Sequence, residues 1–163
     1  MSELYDSIRL TRSAATFTRA LGVDAPEGAD APCDIVLDKL FAEFGEDGAD
    51  RVFIYNPDAI ALWLFQKYTE LFKDAILRTQ IQLPVLSVMP SVTPVCFASM
   101  YSGVMPEVHG IMKYEKPVLK IATAFDVLAD AGKRCAIVST EGDSISKIFL
   151  ERNIDYYIYP SVE

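Results

Sequence analysis

The sequence predicts an α/β protein, a three-layer αβα sandwich built on a mostly parallel sheet. Two observations carry that expectation. Short apolar, β-rich runs alternate along the chain with stretches whose apolar residues recur at helical spacing. Strand–helix–strand crossovers are right-handed, so such alternation lays helices on both faces of a parallel sheet. Half of the 163 residues are apolar (51%) and 23% are charged, which is enough to bury a core and unlike a disordered chain.

The elements follow in order. Residues 7–21 carry Ile8, Phe17 and Leu21 at helical spacing, and residues 22–32 are rich in turn formers. Helical spacing returns over residues 33–44 through Ile35, Val36, Leu37, Leu40, Phe41 and Phe44, until Gly45 and Gly48 break it. With no motif of their own, residues 1–48 read as an N-terminal helical extension to a domain covering residues 49–163. Residues 51–55 form a short apolar run of the kind buried in a parallel sheet, ended by the turn Asn56, Pro57, Asp58. Over residues 59–77 the side chains Ile60, Leu64, Phe65, Tyr68, Leu71, Phe72 and Ile76 recur as on one long helix packed on a sheet. A strand over residues 85–89, a helix over 94–101, an irregular loop and a helix over 123–131 follow. Residues 134–139 form the next strand, Asp143 or Ser144 caps a helix reaching residue 152, and residues 155–159 are the last strand. The alternation stops there with no helix to cover it, so the sheet reads as incomplete at the C-terminus, with an uncovered edge open to homo-oligomerisation.

Charge and cysteine usage narrow the function classes. Fifteen basic against twenty-three acidic residues leave a net charge of −8, which repels a phosphate backbone or an anionic bilayer at long range. Neither a nucleic-acid polymer nor a membrane is expected as partner. Cys33, Cys96 and Cys135 are odd in number, widely spaced and set among apolar neighbours; they read as reduced packing residues of a cytoplasmic protein. No apolar h-region opens the chain, and nowhere do eighteen apolar residues run together.

In sheets of this class, ligands sit beyond the carboxyl ends of the strands. Two segments fall there, Asn56 to Asp58 and Pro90 to Thr93. Thr93 followed by Pro94 has the order of a helix N-cap and a first helical proline. The same hydroxyl would also stand where a helix N-terminus favours an anion, so a phosphate could dock there and be attacked by Thr93. A threonine hydroxyl needs a base or a metal to become a nucleophile. Asp58 is the natural metal ligand on the neighbouring strand end, or else the cap of the helix after Pro57. Glu141 to Ser144 reads equally as an anion-binding turn and as a solvated cap.

The segment from Pro90 to Ile111 resembles the nucleophile region of the alkaline phosphatase superfamily, nearest to its nucleotide pyrophosphatase/phosphodiesterase branch. That pattern is P-x-x-T, ten residues ending in a small residue and glycine, then x-x-P-E-x-H-G-I, and Pro90, Thr93, Ser102, Gly103, Pro106, Glu107, His109, Gly110 and Ile111 match it position by position. The resemblance implies a metal-dependent hydrolase of small phosphoesters, of phosphodiester or nucleotide pyrophosphate type. It places Thr93 as the nucleophile and a metal ligand, and Asp58 as a second metal ligand. It also implies two divalent metal ions of zinc type, and makes residues 49–163 the N-terminal part of an alkaline phosphatase-like catalytic domain. The family's Asp-Gly pair is Asp58-Ala59 here. Most family ligands lie downstream of the matched region, and this chain has no histidine after His109, so the second metal site is incomplete and these residues alone are expected to be inactive. The alternative is a non-catalytic, truncated remnant that binds a partner or a phosphate-bearing ligand. His109 matches the family's turn after the nucleophile helix and reads as structural. Cys96 has no arginine at the spacing of a cysteine-dependent phosphatase loop and reads as packing.

Overall fold

The structure, a computed structural model, describes residues 8–161. Helices α1 (Arg12–Ala20) and α2 (Asp34–Phe44) come first, then α3 (Leu62–Lys67), a 3₁₀ turn (Thr69–Phe72) and α4 (Lys73–Arg78). They are followed by α5 (Thr93–Ser102), α6 (Pro106–His109), α7 (Ala124–Asp130), strand β1 (Ala136–Thr140), α8 (Ser144–Ile148) and strand β2 (Asp155–Tyr159). The molecule is therefore mixed α/β, with β1 and β2 parallel and Val138 opposite Tyr157. The crossover between them is the short helix α8, as the alternation of the sequence requires.

Helix α5 is the central packing element. Val95, Ala98 and Tyr101 on it are buried with Ala14 of α1, Ala124 of α7, Ile137 of β1 and Ile148 and Phe149 at the end of α8. Being apolar on several sides suits a helix enclosed by others. Pro94 lies in its first turn, where a missing N–H costs nothing. Gly103 ends it at φ +81°, and a Cβ there would collide with the methyl of Ala29, so only glycine closes the helix against the 22–32 loop. Helix α1, from the segment read as an extension, packs against both α5 and α7.

The C-terminal half is pinned by one ion pair. Arg152 Nη1 donates to both carboxylate oxygens of Asp126 (2.8 and 2.7 Å), and its Nη2 donates to the Leu119 and Ile121 carbonyls. Asp126 also accepts from the backbone N–H (2.7 Å) and hydroxyl (2.8 Å) of Thr123, which caps α7.

Four predicted elements differ from what is seen, the smallest difference being that α8 ends at Ile148 and does not reach residue 152. Residues 51–55 join no ladder among the described residues; Ile54 packs on the core, while Phe53 and Tyr55 are exposed. An apolar run becomes a strand only where a neighbour satisfies its N–H and C=O groups, and here none is paired to it. The long helix over 59–77 is broken into α3, the 3₁₀ turn and α4, none of which buries a residue. Thr69 Oγ1 donates back to the Phe65 and Gln66 carbonyls (3.1 and 3.0 Å), the local bonding by which threonine competes with a helix ladder. Among the described residues the 85–89 segment pairs only through Leu86. Its N–H donates to the Ile8 carbonyl and its carbonyl accepts from Leu10 N–H (both 2.9 Å), so the chain around Arg9 bridges to Leu86 and α1 begins later than the spacing predicts.

Candidate functional site

Asp58 and Thr93, 35 residues apart, meet. Thr93 Oγ1 donates to the Asp58 carboxylate at 3.1 Å from Oδ2 and 3.4 Å from Oδ1. The residue that caps α5 is Val92, with extended backbone, and Thr93 is the first helical residue. The hydroxyl therefore does not serve its own helix as a cap. It stands at the helix N-terminus, where unpaired backbone N–H groups and the macrodipole favour negative charge. Asp58 in turn accepts from the Ala59 N–H (2.8 Å). Ala59 has φ +58°, a left-handed conformation that disfavours every residue but glycine. The chain turns at this point as though built for glycine, so that the carboxylate faces Thr93.

The Asn56 to Asp58 turn is held from below. Asn56 Nδ2 donates to Tyr101 Oη at 2.8 Å, and Tyr101 is buried on α5, stacked on Phe125 (4.7 Å) and edge-on to Phe149 (5.2 Å). Burial raises the Tyr101 phenol above its ordinary 10.0, against the lowering effect of Asn56, so it remains a neutral hydrogen-bonding group. The sequence puts Asn56 in a candidate ligand segment but assigns no role to it or to Tyr101. A polar residue ahead of Pro-Asp and a tyrosine two turns into the following motif helix are the signals that could have found them.

Behind the site, His109 acts as a clasp between α5 and the turn that follows. Its Nδ1 accepts from the Ile111 N–H (3.2 Å), which leaves the proton on Nε2, and Nε2 donates to Ser99 Oγ (3.0 Å). Both ring nitrogens are used, in agreement with a structural role. Burial holds the imidazole below its ordinary 6.5, opposed only in part by backbone hydrogen bonding and by the charge of Glu107. As pH falls through 6.5 the unfolded chain takes up a proton that the native ring refuses, so stability is full above that value and is lost below it. Urea midpoints measured from about pH 7 to about pH 5 should fall with pH. His109→Gln should flatten that slope, and an unchanged slope would remove His109 as its source.

The remaining candidates do not join Thr93 and Asp58. Asp143 turns back toward β1 and accepts from Ser139 Oγ, Thr140 Oγ1 and Thr140 N–H. The Thr140 hydroxyl leads in holding it below its ordinary 3.8. All three cysteines are free thiols, Cys33 being buried and Cys135 raised by burial. Cys96 Sγ lies 3.3 Å from Ser87 Oγ. Two shallow clefts, of about 280 and 270 Å³, lie around Glu141 and Tyr159 and around Lys133 and Asp155, and neither includes Asp58 or Thr93.

Asp58 and Thr93 supply two oxygen donors, where a zinc ion takes three or four protein ligands. Among the described residues no group of three or more His, Cys, Asp or Glu converges. Also among these residues, no helix is long and apolar enough to cross a membrane. Comparison of the chain with protein-family models, with curated proteins and with solved structures returns no match.

Proposed function

We propose that this chain carries the nucleophile half of a metal-dependent phosphoester hydrolase of alkaline phosphatase type, acting on phosphodiesters or nucleotide pyrophosphates. The observation that carries the reading is the Thr93–Asp58 hydrogen bond. The two residues assigned by resemblance from separate parts of the sequence are brought into contact, and the first is freed from capping its helix. Ala59 at positive φ, where the family's pattern has glycine, supports the same reading. On this reading the small parallel sheet belongs to a three-layer sandwich. Free thiols favour a reducing compartment, the cytoplasm.

In the proposed reaction the phosphoryl group docks at the N-terminus of α5. The Thr93 oxygen forms a bond to phosphorus as the bond to the leaving oxygen breaks, and the hydroxyl proton departs along the hydrogen bond to Asp58. The proton held at Asp58 passes to the leaving oxygen; water then attacks the phosphorus of the threonyl phosphodiester, restoring the hydroxyl and releasing a phosphomonoester. A divalent cation bound by Asp58 and Thr93 would add Lewis-acid activation of the hydroxyl and charge neutralisation at phosphorus. Two donors hold a cation weakly, so the reading requires further ligands for a complete two-metal centre, and these 163 residues by themselves should turn over slowly or not at all. The test is to trap the adduct on the polypeptide as its native cell makes it. Acid quench during turnover of bis(4-nitrophenyl) phosphate with Zn²⁺ should leave a 4-nitrophenylphosphoryl adduct on the peptide containing Thr93. Turnover with an adduct elsewhere, or with none, would overturn the assignment.

A further inference from the structure

One helix holds both halves of the candidate site. Thr93 begins α5, and Tyr101, about two turns later on the same helix, accepts from Asn56 Nδ2 at 2.8 Å. Tyr101 is a fixed point. Its ring is buried among Phe17, Phe97, Phe125 and Phe149, with ring centroids between 4.7 and 6.4 Å away, and close packing of this kind leaves a side chain little room to move. The stretch that brings Asp58 is held far more loosely. Among the described residues the backbone of 51–58 makes no hydrogen bond, and of this stretch only Ile54 packs on the core. Past Asp58 no described apolar side chain of residues 59–87 packs on the core, which the chain regains at Val88.

We propose that Asn56 and Tyr101 are positioning residues, whose hydrogen bond aims the Asp58 carboxylate at the Thr93 hydroxyl. Pro57 makes the link from Asn56 to Asp58 stiff. Its ring fixes its own φ and confines Asn56 to extended backbone, so a hold on Asn56 sets the direction in which the chain enters Asp58. Ile54 grips without aiming, because apolar burial has no direction. The amide-to-phenol bond, in contrast, has a preferred distance and angle. The other hydrogen bond from this stretch to a distant described residue, Thr93 to Asp58, is exposed, so water competes for both of its groups. The partly buried Asn56–Tyr101 bond is therefore the one that sets the geometry beforehand. Without it the carboxylate would spend part of its time away from Thr93. The hydroxyl would then lose its proton acceptor, and a bound cation one of its two oxygen donors. This inference rests on the reading of Asp58 and Thr93 as one site and extends it to the residues that assemble it.

Backbone nitrogen relaxation of the metal-free native polypeptide reads the positioning directly. In the parent, the amides of Asn56, Asp58 and Ala59 should be as ordered as those of α5, with order parameters of about 0.85. In Tyr101→Phe and in Asn56→Ala they should fall below about 0.6 while α5 keeps its values. Each variant should also weaken Mn²⁺ binding at Asp58 by about fivefold, the weight of one hydrogen bond. The double variant should lose no more than either single one, since both remove the same bond, whereas two residues acting separately would add. Asp58 and Ala59 amides that are mobile in the parent, or that stay ordered in both variants, would overturn the proposal. So would a Mn²⁺ affinity that neither variant changes, or a double variant that adds a second loss. Order parameters that fall as expected in a protein whose Asp58 takes up no Mn²⁺ would uphold the positioning role and count against the metal-site reading alone. Tyr101→Phe keeps the ring and its packing. Should it nonetheless fail to fold, Asn56→Ala, which lies outside the core cluster, decides by the same order parameters.

Discussion

Thr93→Ala is expected to lower phosphoester turnover by the native polypeptide by about 10⁴-fold or more, on the scale seen when a covalent nucleophile is removed. The expectation follows from where the hydroxyl is. It stands at the start of α5, donates to Asp58 at 3.1 Å, and is not the cap of its own helix. Losing it should therefore cost little stability, because Val92 and Pro94 keep their places in the first turn. A cap, by contrast, would cost about 1 kcal/mol on truncation and leave turnover untouched. The two readings separate on two axes, turnover and melting temperature. Thr93→Ser, which keeps the oxygen, should retain measurable activity. Retention of rate within tenfold by Thr93→Ala would dismiss it as the nucleophile.

The largest effect on folding is expected at Arg152. Its guanidinium is almost wholly buried, pairs with both oxygens of Asp126, and donates to two backbone carbonyls that no other described group serves. Arg152→Met removes the cation but leaves the Asp126 carboxylate and the Leu119 and Ile121 carbonyls facing an apolar side chain. Breaking one partner of a buried pair costs about 3–5 kcal/mol, which in a chain of this length lowers the melting temperature by about 10 °C. Arg152→Lys should recover only part of the loss, since an ammonium cannot span both carboxylate oxygens and two carbonyls at once. The exposed pair Lys120–Glu151 is the natural control, as exposed pairs contribute at most about 1 kcal/mol. A melting temperature for Arg152→Met within 2 °C of the parent would contradict this account.

How much of this was legible in the sequence depended on the range of the interactions involved. Helix α5 could be read because it is locally determined, with a proline in its first turn and a left-handed glycine after its last, while the short helix begun by Pro106 lies in what the spacing reads as an irregular loop. The last βαβ unit was legible for the same reason, its strands falling within a residue or two of the β-rich runs. Residues 51–55 misled because β-rich composition describes a run that fits a sheet without saying whether a neighbouring strand is there to pair with it. The break at Thr69 was invisible to a reading of apolar spacing, since it turns on a hydroxyl bonding its own backbone. Leu86 pairing with residues 8–10 and Arg152 spanning 26 residues to Asp126 are long-range facts that no local pattern encodes. For the site, the motif singled out Asp58 and Thr93, although the two strands at whose ends the topology rule set them are not formed among the described residues, and the tether from Asn56 to Tyr101 needed the coordinates.

The central claim is that Asp58 and Thr93 together form a divalent-cation site at the head of α5. The most direct measurement is a Mn²⁺ titration followed by amide resonance broadening, which registers even weak binding at a known place. The account predicts that the amides of Asp58, Ala59 and Thr93 broaden first, and that Asp58→Asn and Thr93→Val each abolish the effect. Broadening confined to the acidic stretch of residues 22–50, with the Asp58 and Thr93 amides unchanged, would contradict it.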